Sequence, residues 1–217
     1  ISTRDWSSDV CSSDLCPKTA ASQKKMRDFA KENNIDFWEG KGVCHQVMME
    51  NYVCPGELIF GADSHTCSYG ALGAFGTGVG CTDLLYGMVT GKSWVLVPET
   101  VKFNLVGKLS EGVYARDLIL TIIGTIGANG CNYQVMEFTG EGAKTLSISE
   151  RMVLCNMAVE AGAKTGIFEP DEKAIEYLEA HGRKPKALFT SDPDAVYARE
   201  YTFDLSKIRP VVAKPDF

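Results

Sequence analysis

The sequence predicts an α/β fold. Short runs of strand-like alternation are interleaved with runs of helix-like periodicity. Pro and Gly punctuate the joins, and the 21 glycines among 217 residues suit a protein with many tight loops.

In chain order, residues 20–33 form a charged helix with Met26, Phe29 and Ala30 on one face, ended by Asn33-Asn34. Ile35-Asp36-Phe37-Trp38 alternates like a strand. Residues 47–52 and 58–60 are short apolar stretches separated by the Pro55-Gly56 turn. Gly70, Gly73, Gly76, Gly78 and Gly80 follow, then a helix over residues 82–90. Pro98 marks a break and the expected boundary between a first α/β domain, residues 16–98, and a second, residues 99–217. Val101, Phe103 and Leu105 alternate as a strand. Ala115, Leu118, Ile119, Ile122, Ile123 and Ile126 fall on one helix face. Ser147-Ile148-Ser149-Glu150 matches a capping box, so a helix starts there and runs to about Ala161. A further helix spans residues 171–180, and beyond Pro185 the chain turns polar and irregular. Residues 1–15 carry Ser-Ser-Asp twice and no periodicity; they read as translated cloning sequence, or else as a natural disordered N-terminus.

The formal net charge of −6 argues against nucleic acid as the main partner. No apolar run approaches the roughly 18 residues that span a bilayer, and no signal peptide is visible. The eight cysteines are scattered without a C-x-x-C pair, so the expectation is reduced, mostly buried thiols in a cytoplasmic protein.

Candidate chemistry concentrates in a few places. His65 sits in Asp63-Ser64-His65-Thr66 directly after the apolar 58–60 run, which brings an acid, a hydroxyl and an imidazole to a strand end. A carboxylate beside an imidazole can orient it, but an Asx turn with a surface histidine fits the same string. His45, in Gly42-Val43-Cys44-His45-Gln46, is by itself most simply structural, and His181 a helix-ending residue. Asn156 and Glu160 are four apart in apolar surroundings; a buried site and a solvent-facing stripe both explain them. Gly87–Ser93 has three residues between its glycines where a P-loop needs four, and the 70–80 glycines do not match G-x-G-x-x-G, so they serve close backbone packing instead.

Taken as strings, residues 42–46, Pro55-Gly56-Glu57, residues 61–71 and residues 152–166 resemble the aconitase superfamily in order and spacing. Residues 90–94 and 97–100 are most similar to large subunits of its 3-isopropylmalate dehydratase and homoaconitase branch. That resemblance implies aconitase-type α/β domains with mixed sheets flanked by helices, present here as an incomplete set. It implies a hydro-lyase that dehydrates and rehydrates a hydroxy polycarboxylate, with 3-isopropylmalate of leucine biosynthesis first and the homoaconitase and dimethylmalate substrates as alternatives. A small, swivelling-domain subunit would be the partner. A [4Fe-4S] cluster would act as Lewis acid, its cysteine ligands lying beyond Phe217, so that no cysteine in this chain is counted as a ligand. By resemblance Asp63 and His65 manage the proton of the departing oxygen and Ser64 holds substrate or loop. Asn156 bonds the iron-bound water, and Glu160 pairs with His45. A further Asp-His element of the superfamily would fall within residues 1–15, and the serine base and substrate arginines in regions this chain lacks. The chain alone is therefore expected to be inactive. An inert segment and a nucleotide-binding domain are the rival classes. The resemblance requires the Asp63 loop, the His45 loop and the Asn156/Glu160 helix to converge on one pocket.

Overall fold

The computed structural model describes residues 5–7 and 17–214. Asp5–Ser7 forms strand β1, paired in parallel with β2 (Asp36–Trp38). The rest of residues 1–15 lies outside the described residues, and with it the reading of that segment. Helix α1 (Pro17–Glu32) precedes β2.

Every strand pairing among the described residues is parallel, where mixed sheets were expected. Strands β3 (Leu58–Gly61) and β4 (Phe75–Gly78) pair with each other. The main sheet has the order β7-β6-β5-β8, with β5 Thr100–Val106, β6 Val135–Thr139, β7 Thr165–Phe168 and β8 Arg199–Asp204. Parallel neighbours need crossovers. Helix α4 (Ala115–Ile126) links β5 to β6; α5 (Glu141–Thr145) and α6 (Ile148–Asn156) link β6 to β7; and α7 (Glu172–Ala180) follows β7.

The sequence dictates much of this. Val101, Phe103 and Leu105 are fully buried in β5 while their neighbours are half-buried, so the alternation reads one face inward. In α4, Ala115, Leu118, Ile119 and Ile122 are buried, and Asp117 closes a capping box with Tyr114. The capping box at Ser147 and Glu150 is also formed. Phe168, Phe138, Phe103 and Tyr201 stand in register across all four strands, with ring centroids 5.1, 5.6 and 5.5 Å apart. Such cross-strand aromatic pairs fix register as well as burying area.

Two differences from the sequence reading matter for the site. The helix from Ser147 does not run on to Ala161 as one α-helix: α6 stops at Asn156 and a 3-10 helix, Met157–Ala161, continues it. Residues 47–52 lie mostly in a helix, α2 (Cys44–Asn51), and Arg183 donates to the carbonyls of Met49 in its last turn and of Val53 just beyond it, both at 2.5 Å. Helix α3 (Cys81–Thr90) agrees with expectation in position but buries none of its residues. One buried cluster takes residues from both sides of Pro98, from Met49 and Leu72 to Phe138 and Leu178.

Candidate active site

The chain leaves β3 at Gly61 and enters a 3-10 helix, Ser64–Leu72, unusually long for its kind. Asp63 is its N-cap. The carboxylate Oδ1 accepts the backbone N–H of His65 at 2.7 Å, and the hydroxyl of Thr66 donates to the Asp63 carbonyl at 2.6 Å. The Asx turn anticipated as an alternative therefore exists, and it coexists with further contacts that a turn alone does not need.

His45 Nε2 lies 2.9 Å from the same Asp63 Oδ1. Its other ring nitrogen, Nδ1, lies 3.3 Å from the Tyr69 hydroxyl. The His45 side chain is 13% exposed and that of Asp63 55% exposed, so the imidazole is walled in and the carboxylate faces outward. His65 sits beside the pair, its Nδ1 3.3 Å from Asp63 Oδ1 and 3.3 Å from Ser64 Oγ. All three contacts to the carboxylate fall on Oδ1; among the described residues nothing bonds Oδ2.

Asn156 reaches the same element from α6. Its Nδ2 donates to Ser68 Oγ at 3.0 Å, and Ser68 in turn donates to the His65 carbonyl at 2.7 Å. The approach depends on glycine. A methyl at Gly70 would lie 1.7 Å from the Gly166 carbonyl oxygen of β7, so the 3-10 helix and β7 meet backbone to backbone. The expected role of the 70–80 glycines in close packing is seen here directly. Glu160 behaves differently. It is exposed, and His45 bonds Asp63 and Tyr69 in place of it. The physical reason is the switch to 3-10 geometry after Asn156, which breaks the i, i+4 face the two residues were expected to share. His181 closes α7 with Nδ1 2.7 Å from the Tyr177 carbonyl.

Electrostatics follow the contacts. Partial burial pushes the Asp63 carboxyl upward, but the His65 N–H and the bond and charge of His45 outweigh it and hold it below its usual range. Burial pushes the Cys67 thiol up to about 12, and the charges of Asp63 and Glu160 act in the same direction. Burial likewise drives the Cys155 and Cys131 thiols up. Among the described residues no group of three or more His, Cys, Asp or Glu could hold a metal ion. A cluster ligand must be a thiolate, so these dispersed, protonated cysteines do not fit an iron–sulfur centre.

Two cavities open elsewhere. One of about 630 Å³ lies at the C-terminal end of α4 beside Asn132 and Arg199. One of about 260 Å³ lies between α3, Trp94 and Tyr133. Neither is lined by Asp63, His45 or His65. Tyr69 is the member of the site that the sequence reading missed. Among the described residues no helix is long and apolar enough to cross a membrane.

Comparison with known proteins identifies the family. The model of the aconitase family (aconitate hydratase) matches residues 8–217. The 3-isopropylmalate dehydratase large subunit of Hydrogenobaculum sp. (strain Y04AAS1) is 52% identical over 201 residues, covering 91% of this chain and 47% of that protein. The 3-isopropylmalate dehydratase large subunit 1 of Pyrococcus furiosus is 53% identical over 202 residues, covering 91% and 48%. The large subunit of Aquifex aeolicus is 50% identical over 201 residues, covering 91% and 46%. The chain spans about half the length of the curated relatives it matches, and it belongs to the aconitase family.

Proposed function

We propose that this chain is about half of the large subunit of a hydro-lyase acting on 3-isopropylmalate, in which Asp63 handles the proton of the departing oxygen. The observation that carries the reading is the state of that carboxylate. Three contacts converge on Oδ1 while Oδ2 stays open and the side chain is half exposed. Dehydration requires a proton for the leaving oxygen, and rehydration requires one to be taken from water. Clamped through Oδ1 and open at Oδ2, the side chain can do both without changing position: as the carboxylic acid it gives its proton to the departing oxygen, and as the carboxylate left behind it takes one back from water. His45 holds it, His65 stands beside it with Ser64, and Asn156 braces the element that carries them through Ser68. Glu160 enters only as an exposed carboxylate whose charge reaches the Cys67 thiol.

The relatives' names support the substrate: a large subunit implies a small one, and we assign the rest of the pocket wall to that partner and to the remaining half of the relatives' length. Family membership implies an iron–sulfur cluster. The cysteines described here do not fit it, so its ligands belong to that remainder, and no step of this reading is routed through it. We place the protein in the cytoplasm, in keeping with the reduced, buried thiols of Cys54, Cys67, Cys131 and Cys155.

The test is turnover by the full-length large subunit purified anaerobically with its small subunit. We expect 3-isopropylmalate to be dehydrated faster than homocitrate or dimethylmalate, and the 217-residue chain alone to be inactive. Preference for homocitrate would move the protein to the neighbouring branch, and activity of the chain alone would overturn the division of the site.

A further inference from the structure

We infer that Tyr69 is a positioning residue: its hydroxyl donates to Nδ1 of His45 and fixes the tautomer of that imidazole, with the Nε2–H aimed at Asp63. The inference starts from helix geometry. A 3-10 helix has three residues per turn, so positions three and six apart eclipse. Asp63, as N-cap of Ser64–Leu72, and Tyr69 therefore lie on one side of it. In an α-helix the same spacing would point them apart. His45 arrives from α2 between them, and each of its nitrogens meets one of the two side chains, Nε2 at 2.9 Å from Asp63 Oδ1 and Nδ1 at 3.3 Å from the Tyr69 hydroxyl.

The donor and acceptor roles follow from what each group can do. An ionised carboxylate only accepts, so Nε2 carries the hydrogen. Nδ1 is then either a bare lone pair accepting from the tyrosine O–H or a second N–H of a cation. A phenol facing it can donate, and a donated bond favours the bare nitrogen. The ring has little freedom to choose otherwise. Tyr69 is 4% exposed, and its ring lies against the backbone of β4, where a methyl at Gly76 would come within 3.0 Å of Tyr69 Cδ2. The tyrosine and histidine rings are 5.7 Å apart at 60°, in contact but not stacked.

The consequence, which rests on the reading of Asp63 as the proton-handling group, is a division of labour. His45 offers a fixed N–H to Oδ1, which keeps the Asp63 carboxyl in place and leaves Oδ2 for the substrate. Tyr69 thereby acts on the chemistry through His45 without touching the substrate.

The test uses the full-length large subunit with its histidines labelled with nitrogen-15, near pH 8, and compares it with Tyr69→Phe and Asp63→Asn. In the unsubstituted chain we expect His45 to show a protonated Nε2 and a bare, hydrogen-bonded Nδ1. Tyr69→Phe keeps the buried ring and should shift the His45 Nδ1 resonance alone, downfield toward the value of an unbonded bare nitrogen. Asp63→Asn should move Nε2 instead, and His181 serves as the internal reference. A protonated Nδ1 in the unsubstituted chain, or an Nδ1 resonance unmoved in Tyr69→Phe, would overturn the inference. Neither reading depends on turnover, so failure of the proposed activity would be seen separately.

Discussion

At the scale of single residues, the account separates groups that hold the fold from groups that present chemistry. Arg151 is the clearest of the first kind. Its side chain is 1% exposed, bonds both oxygens of Asp171 and lies over the Phe168 ring, 5.3 Å from its centroid. Asp171 also caps α7 by accepting the Ala174 N–H. Asp171→Asn keeps the cap, because asparagine caps equally well, and removes the charge. Leaving a buried guanidinium unpaired should lower stability to urea by about 3 kcal/mol, the low end for a broken buried pair because the carboxylate is 24% exposed. Burial pushes the Asp171 carboxyl up, yet Arg151 and the Ala174 N–H pull it below its usual value. A depressed folded value gives stability that is full above the unfolded carboxylate range, about pH 4, and fades as pH falls through the folded value. The asparagine variant should lose that acid limb in urea titrations between about pH 5 and 2, and an unchanged limb would assign it to other carboxylates. Of the site residues, Asp63, Ser64, His65 and His45 were legible as strings. Tyr69 was not, because its partnership with His45 depends on three residues per turn and no periodicity in a glycine-rich stretch announces that.

At the scale of elements, legibility followed how each one buries its side chains. Helix α4 has a clean apolar face, α6 carries its own start signal, and β5 buries alternate residues. Strand β6 buries Val135, Met136, Glu137 and Phe138 in succession, so it has no alternation to read, as expected of a strand covered on both faces. Strand β8 was read as irregular because it is an edge strand with Arg199 and Glu200 exposed to solvent. The tail ahead of it is tied down by polar bonds, Ser191 and Tyr197 both donating to the buried Glu137 at 2.9 and 3.1 Å. The docking of the 3-10 helix on β7 gives a prediction with an internal contrast. Gly70→Ala puts a methyl into the Gly166 carbonyl and should cost several kcal/mol or prevent folding. Gly124→Ala, at an exposed position of helix α4 with nothing within 4 Å, should instead stabilise by about 0.5–1 kcal/mol. Thermal melts of the two variants check both signs.

At the scale of the whole molecule, the fold assembles one side of a site and leaves the other open. The class was legible from alternation of element types, while the all-parallel pairing was not, because strand direction is set by crossovers that no local pattern encodes. The exposed Asp63 carboxylate is in keeping with the proposal that further sequence supplies the facing wall. Leu85, Tyr86, Val89, Trp94, Leu96 and Val97 are exposed on and after α3. The central claim is that His45 and Asp63 act as one unit in a hydro-lyase. A double-mutant cycle on the assembled two-subunit enzyme tests it most directly, with kcat measured for His45→Ala, Asp63→Ala and both together. Each single change is predicted to lower kcat by about 10²–10⁴, and the double variant to be no slower than the worse single one, since residues working as a unit are not additive. Losses that simply multiply, or a single variant with full turnover, would contradict it.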